Sequence, residues 1–192
     1  MESIAEAFPA ECIVVKERLS SSGKSLENAP MEVALGCRES AVGTVFEGNA
    51  KFHVDLLDTV NPGLFLDMRH VRLEVEERFR EMSGTDFATA QSLFAQPSSA
   101  QSLSAQSSGL RFLNLFSYTC SFSVHARLGG AAVATNADIS GKILDKGREN
   151  YALNGLDLRP GEFFRGNALE YVRWALKKGL RFDGIVLDPP SF

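Results

Sequence analysis

Long apolar runs are missing from this 192-residue chain. No segment nears the roughly 18 consecutive apolar residues that a membrane helix needs, which excludes a helical spanning protein. Cysteine and histidine are scarce: Cys12, Cys37 and Cys120, with His53, His70 and His125. They are too few and too scattered for a disulfide framework or a zinc knuckle, so no metal site is expected. An excess of basic charge is also lacking, because 20 Lys and Arg stand against 24 Asp and Glu, a formal net charge of -4. Nucleic acid therefore cannot be held by bulk positive charge, and any such contact needs a local patch or a further part of the protein. The first ten residues, MESIAEAFPA, carry two Glu and no basic residue. Secretory and organellar leaders need early positive charge, so a cytoplasmic location is expected. What is present is 44% apolar residues, including 14 Phe, enough for a globular domain with a real core.

The chain divides by composition. Residues 82–109 hold almost no charge, and from Ala90 the sequence reads AQSLF, AQPSS, AQSLS, AQSSG. Such tandem units rich in Ser, Gln and Ala bury too little apolar surface to offset ordering entropy, which predicts a disordered insert. A short helix through Phe87 to Phe94 is the alternative. Before the insert, residues 1–60 form an N-terminal segment in which AVGTVFEGNAKFHVDLLD (41–58) reads as a β-hairpin turning at Gly48 and Asn49. Residues 61–81 read as a strand-turn-helix, with Met68, Val71, Val75 and Phe79 on one helical face.

From Leu110 onward strands and helices alternate. RFLNLF (111–116), AAVATNAD (131–138), EFFRG (162–166) and FDGIVLD (182–188) read as strands. Helices lie between them: one through Val124 and Leu128, one over 140–154 with Ile143, Gly147 and Tyr151 on a face, and one over 168–178 with Leu169, Val172 and Leu176 inward. This order predicts an α/β class, a Rossmann-like doubly wound parallel sheet with helices on both faces. Such sheets normally continue past a fourth strand, which predicts a truncated product with an exposed edge.

In open α/β sheets, ligands bind beyond the carboxyl ends of the strands, so the residues that follow each strand carry the chemistry. After the first comes Phe116, Ser117, Tyr118, Thr119, Cys120. This loop has neither GxGxxG nor GxxxxGK[ST], which disfavours a dinucleotide or a triphosphate. It is either an anion-binding helix start or an ordinary βα turn with a Ser/Thr cap. After the second strand, Asp138 stands where a carboxylate meets ribose hydroxyls, or caps the next helix with Ile139 and Ser140. Asn167, after the third, either reaches an adenine edge or caps a helix. After the fourth come Asp188, Pro189, Pro190, Ser191 and Phe192. Paired prolines fix φ and remove two donors, leaving carbonyl oxygens, one carboxylate and an aromatic ring, a set suited to holding a planar base. The other reading is a plain strand terminator.

These segments together resemble the class I S-adenosylmethionine-dependent methyltransferases that act on bacterial large-subunit ribosomal RNA. NLFSYTCSFSVHARLGGA (114–131) is similar to that family's cofactor loop, Asp138 to Ser140 to its acidic motif, GRENYALNGL (147–156) to its next helix and DPPSF to its target-base motif. GLFLDMRHVR (63–72) and the hairpin resemble its lead-in. The resemblance implies that Phe116 to Cys120 line the methionine part of S-adenosylmethionine, that Asp138 binds the ribose with Ile139 beside it among the cofactor-binding residues, and that Asn167, where the family usually has Asp, lies by the adenine and accepts from its amino group through its carbonyl. It implies Phe65 and Arg69 as residues closing the site, Arg69 by pairing with the methionine carboxylate. It gives Asp188, Pro189, Pro190 and Phe192 the catalytic role toward an RNA base. No Cys stands where carbon methylation needs a nucleophile, so nitrogen methylation, for which the base supplies its own nucleophile, is the chemistry implied. The expected partner is ribosomal RNA, with no membrane. A non-catalytic cofactor- or RNA-binding remnant is the alternative, and a nicotinamide dehydrogenase a third reading. Arg78 and Arg80, with Arg173, Lys177, Lys178 and Arg181, are either phosphate contacts or solvated helix faces.

Overall fold

The computed structural model describes residues 10–16, 31–59, 61–84 and 109–190. Nearly all of the Ser/Gln/Ala units, the acidic start of the chain, Ser191 and Phe192 lie outside these residues.

One compact unit comprises residues up to 46 together with 52–65. In it β1 (Ile13–Lys16) pairs antiparallel with β2 (Met31–Leu35), placing Ile13 opposite Leu35 and Lys16 opposite Met31. The hairpin expected over 41–58 is present as β3 (Val42–Glu47) and β4 (Ala50–Asp55), turning through Gly48 and Asn49 with Gly48 at φ 59°. Its tip, residues 47–51, groups with the second unit, which continues from Leu66.

The second unit contains α1 (Arg69–Ser83), β5 (Arg111–Leu115), α2 (Ser121–Leu128), β6 (Val133–Asp138), α3 (Gly141–Leu153), β7 (Phe163–Arg165), α4 (Ala168–Lys177) and β8 (Gly184–Leu187). All four strands run parallel in the order β7-β6-β5-β8. The chain adds β6 and β7 on one side of β5 and then crosses to place β8 on the other, so the switch point lies at β5.

Alternation along β5 sends side chains to both faces of the sheet. Phe112 joins Phe79 of α1 and Phe122 and Ala126 of α2 in one buried cluster, with the Phe79 and Phe112 rings edge-on at 5.4 Å. Leu113 and Leu115 join Ala168, Tyr171 and Ala175 of α4 in the other. Helices therefore cover both faces, as the alternation of elements predicts.

Which helix residues face inward differs from the sequence expectation in three places. On α4, Leu169 and Leu176 are 55% and 79% exposed, and Val172 is also exposed. Ala168, Tyr171 and Ala175 meet the sheet instead, because two alanines allow a close approach while the Tyr171 ring packs on Phe164 at 5.1 Å. On α1, Val71 is exposed, whereas Arg72 and Glu76 are buried beside Phe79. On α3, Leu144 takes the fully buried position with Gly147 and Tyr151, and Ile143 is only half-buried.

Candidate functional site

The carboxyl ends of the parallel strands present the residues singled out by sequence. The loop from β5 to α2 has an unusual backbone: Phe116, Tyr118 and Cys120 sit at φ 59°, 47° and 62°. Three non-glycine residues in the left-handed region, each costing about 1–3 kcal/mol, persist only where the surroundings over-determine them. The surroundings here are specific. Ser117 N–H donates to the Ala137 carbonyl (3.1 Å) and Cys120 N–H to the Ser117 carbonyl (2.8 Å). Asp138, ending β6, accepts Tyr118 N–H at Oδ2 (3.0 Å) and Ser140 N–H at Oδ1 (2.9 Å). One carboxylate thus ties the β5 loop to the start of α3. Backbone that alternates into the left-handed region forms concavities suited to anions. α2 begins directly at Cys120 with no side-chain cap, so its first-turn amides are not shielded by a capping group.

The other predicted residues are placed as follows. Ile139 is 76% exposed beside Asp138. Asn167 is an exposed N-cap: its Oδ1 accepts Leu169 N–H at 2.8 Å and Glu170 N–H at 3.4 Å. Asp188, Pro189 and Pro190 are exposed at the end of β8, the strand paired with β5 through Leu115 and Leu187. Arg69 opens α1 with its side chain exposed, and Phe65 belongs to the other unit, also exposed. Cys120 is fully buried, and burial pushes its thiol far above the ordinary range, aided by the Asp138 carboxylate. It has no nucleophilic form at neutral pH. Of the basic residues, Arg78 pairs with Glu74 and Glu81, and Arg80 with Glu76 and Glu77. Both sit in ion pairs of α1, so α1 carries no free basic patch there. Arg173, Lys177, Lys178 and Arg181 are exposed.

A family model described as S-adenosylmethionine-dependent methyltransferase matches residues 78–192, more than half of the chain. The chain belongs to this family.

Among curated methyltransferases, the ribosomal RNA large subunit methyltransferase K of Neisseria meningitidis is 37% identical over 148 residues, covering 77% of this chain and 34% of the relative. The ribosomal RNA large subunit methyltransferase K/L of Acinetobacter baylyi is 33% identical over 190 residues, covering 96% of this chain and 21% of the relative. The chain thus spans about a third or less of the length of these relatives. Among solved structures, SMU.776, described as a methyltransferase complexed with SAH, is 26% identical with a TM-score of 0.63, covering 84% of this chain and 36% of that one. A SAM-dependent methyltransferase from Agrobacterium tumefaciens has a TM-score of 0.67 at 20% identity over 99% of this chain and 49% of that one, which supports the fold.

The donor set of this methyltransferase chain is compatible with the cofactor. Each Asp138 oxygen accepts one backbone N–H and so retains a lone pair for a hydroxyl. An aliphatic side chain as exposed as Ile139, next to that carboxylate, is a surface on which a flat ring can lie.

Several residues that shape this site escaped the sequence reading. Asn150 of α3 donates from Nδ2 to the Thr119 carbonyl at 3.0 Å, and Asn114 of β5 donates to Ser123 Oγ at 3.1 Å. A Cβ on Gly147 would meet Cys120 Sγ at 2.4 Å, so the loop packs directly on α3. Gly147 was expected on the inward face of α3 and is buried there; only its partner, Cys120, was not foreseen. A buried ion network was also missed. Arg72 donates from Nε and Nη2 to Glu47 Oε1 and Oε2 (2.6 and 2.7 Å), while His125 of α2 faces Glu76 at Nδ1 (2.7 Å) and Glu47 at Nε2 (3.1 Å). Burial alone would lower the His125 value, but hydrogen bonds to the two glutamates override it and raise it. Burial alone would raise Glu47, yet Arg72 and then His125 hold its carboxyl down at about 2. This network fixes the hairpin tip to α1 and α2.

Proposed function

We propose that this chain carries the cofactor-binding core of a methyltransferase acting on large-subunit ribosomal RNA bases, working in the cytoplasm. The observation that supports it most is Asp138, which bridges the Tyr118 and Ser140 amides at the carboxyl edge of the sheet, beside the β5–β8 switch point. In this reading Phe116, Ser117, Tyr118, Thr119 and Cys120, with the start of α2, cradle the methionine end of S-adenosylmethionine. Asp138 accepts the ribose hydroxyls and Ile139 lies under the adenine. Asn167 spends its oxygen on capping α4, so it serves the adenine as a donor, through its Nδ2. Arg69 closes the site by pairing with the methionine carboxylate.

S-adenosylmethionine supplies an electrophilic methyl group on a sulfonium. The chain's own part is to orient the nucleophile. The carbonyl oxygens of Asp188 and Pro189 accept from the exocyclic amino group of the target base, and Phe192 stacks on its ring. Pro189 and Pro190 lack N–H groups and fix φ, so the acceptors stay directed at the base. The buried Cys120 thiol takes no part, in keeping with nitrogen rather than carbon as the methylated atom. By sequence pattern the proposed division is an N-terminal segment (1–60), a lead-in (61–81), the insert (82–109) and the cofactor core (110–192).

The test is calorimetric titration of the purified chain with S-adenosylmethionine and, separately, with NADH, alongside Asp138→Ala. Saturable binding of the first alone, weakened at least about 100-fold in the variant, is expected, since loss of a charged acceptor that also holds two amides removes several kcal/mol. Binding of NADH, or no binding by the folded chain, would sink the proposal. Transfer of labelled methyl to unmodified large-subunit ribosomal RNA then separates an enzyme from a binding module, which would bind without transfer.

A further inference from the structure

Helix α3 and its C-cap touch the proposed cofactor loop and the hairpin tip through two asparagines, Asn150 within the helix and Asn154 at the cap. Asn150, 1% exposed, donates from Nδ2 to the Thr119 carbonyl at 3.0 Å. Asn154 donates from Nδ2 to the Asn150 carbonyl and to the Lys51 carbonyl, both at 2.7 Å, and accepts Lys51 N–H at Oδ1 at 2.8 Å. Its amide therefore reads the backbone of the hairpin tip as a neighbouring strand would. A polar side chain buried inside a helix is costly unless its bonds are made, so the bond of the buried Asn150 to the Thr119 carbonyl is specific rather than incidental.

Thr119 lies between two residues held in the left-handed region, Tyr118 and Cys120. Its carbonyl belongs to the same rigid peptide plane as Cys120 N–H, which bonds back to the Ser117 carbonyl at 2.8 Å. Asn150 thus clamps one side of that plane and Ser117 the other. The Asp138 bond to Tyr118 N–H holds the 117–118 peptide, whose Ser117 carbonyl accepts Cys120 N–H. Loss of the Asn150 side chain removes the Nδ2 donor from the Thr119 carbonyl, and the strained loop gains freedom to relax toward ordinary φ values.

We propose that Asn150 is a positioning residue for the methyltransferase reaction, holding the 118–120 backbone in its binding shape, with Asn154 anchoring α3 to the hairpin tip at Lys51 behind it. This rests on the reading of the 116–120 loop as the cofactor site. Asn150 touches neither cofactor nor base in it. Its effect is on affinity for the methionine end, by pre-forming a loop that the ligand would otherwise have to order.

The experiment uses the whole chain and compares wild type with Asn150→Asp, which keeps the shape and removes the donor, with Asn154→Ala, and with Phe79→Leu, a core change in the α1–β5 cluster. Each is titrated with S-adenosylmethionine, melted, and followed by amide hydrogen exchange over 116–120. Asn150→Asp should weaken binding about 10-fold and speed exchange in the loop, the size expected when a buried carbonyl loses its donor. Phe79→Leu should lower the melting temperature with unchanged affinity. Should Asn150→Asp fail to fold, Asn154→Ala carries the test, with about threefold weaker binding and faster loop exchange expected. Affinity within about twofold of wild type in the folded Asn150 variant, or in Asn154→Ala if the first does not fold, overturns the inference and leaves the cofactor reading standing. Loss of affinity in proportion to melting temperature in all three variants assigns Asn150 a purely structural role and also overturns it. Failure of wild type itself to bind overturns both.

Discussion

At the scale of single residues, Gly147 and Cys120 form one packing unit. The glycine removes a Cβ that would sit 2.4 Å from the Cys120 sulfur. Gly147→Ala should therefore destabilise the chain by about 2 kcal/mol, although alanine favours a helix by about 1 kcal/mol over glycine. Cys120→Gly added to it should recover most of the loss, because it removes the clashing sulfur and a left-handed non-glycine residue at φ 62° together. Chemical denaturation of the two single variants and the double variant checks this, and additive losses would contradict it. Asp138 and Asn167 illustrate how far sequence reaches at this scale. Both were open between a ligand role and a helix-capping role, since Asp and Asn suit either. The structure places both in backbone-holding bonds, Asp138 with acceptor capacity to spare and Asn167 with its oxygen committed to the start of α4.

At the scale of elements, the orientation of α4 decides which apolar side chains count. Its sequence carries two apolar stripes, one of Leu169, Val172 and Leu176 and one of Ala168, Tyr171 and Ala175. Periodicity favours the bulkier set, but contact with the sheet is made by the other. Small residues at two of the three positions let the helix backbone approach β5 and β6, and the tyrosine ring then fills the space against Phe164. Tyr171→Ala should cost about 3 kcal/mol by leaving a cavity, whereas Leu176→Ser should change the stability of this chain by no more than about 0.5 kcal/mol. Urea midpoints of the two variants test the orientation, and a larger loss from Leu176 would reverse it.

At the scale of the whole molecule, the buried Glu47, Arg72, Glu76 and His125 network makes stability depend on pH in two windows. Glu47 is held down from 4.5 to about 2. A depressed carboxyl contributes stability that is present above its ordinary value and lost as pH falls through the folded one. The gap in denaturant midpoint between wild type and Glu47→Gln should therefore be widest above pH 4.5 and close toward pH 2. His125 is raised from its ordinary 6.5. Its contribution is complete below that value and is lost as pH rises through the raised one, so wild type should weaken on the alkaline side where His125→Gln does not. A gap independent of pH in either variant would show that the network is not ionised as its geometry demands. Breaking a buried pair by removing one partner costs about 3–5 kcal/mol, so both variants should also be weaker near neutral pH.

The order of strands and helices from Leu110, the hairpin turn at Gly48, and the residues that follow each strand were set by local patterns: apolar periodicity, turn chemistry and capping residues act over a few positions and are legible in the chain. Tertiary structure alone decided what lies far apart in sequence. It brought Glu47 to Arg72 and His125, Asn154 to Lys51, and Asn150 to Thr119, and it chose the inward stripe of α4. A charged or amide side chain inside a helix reads as solvent-facing until its partner is known. Burial becomes favourable only when a second element supplies the matching bond, and no periodicity within one segment records what the other segment brings.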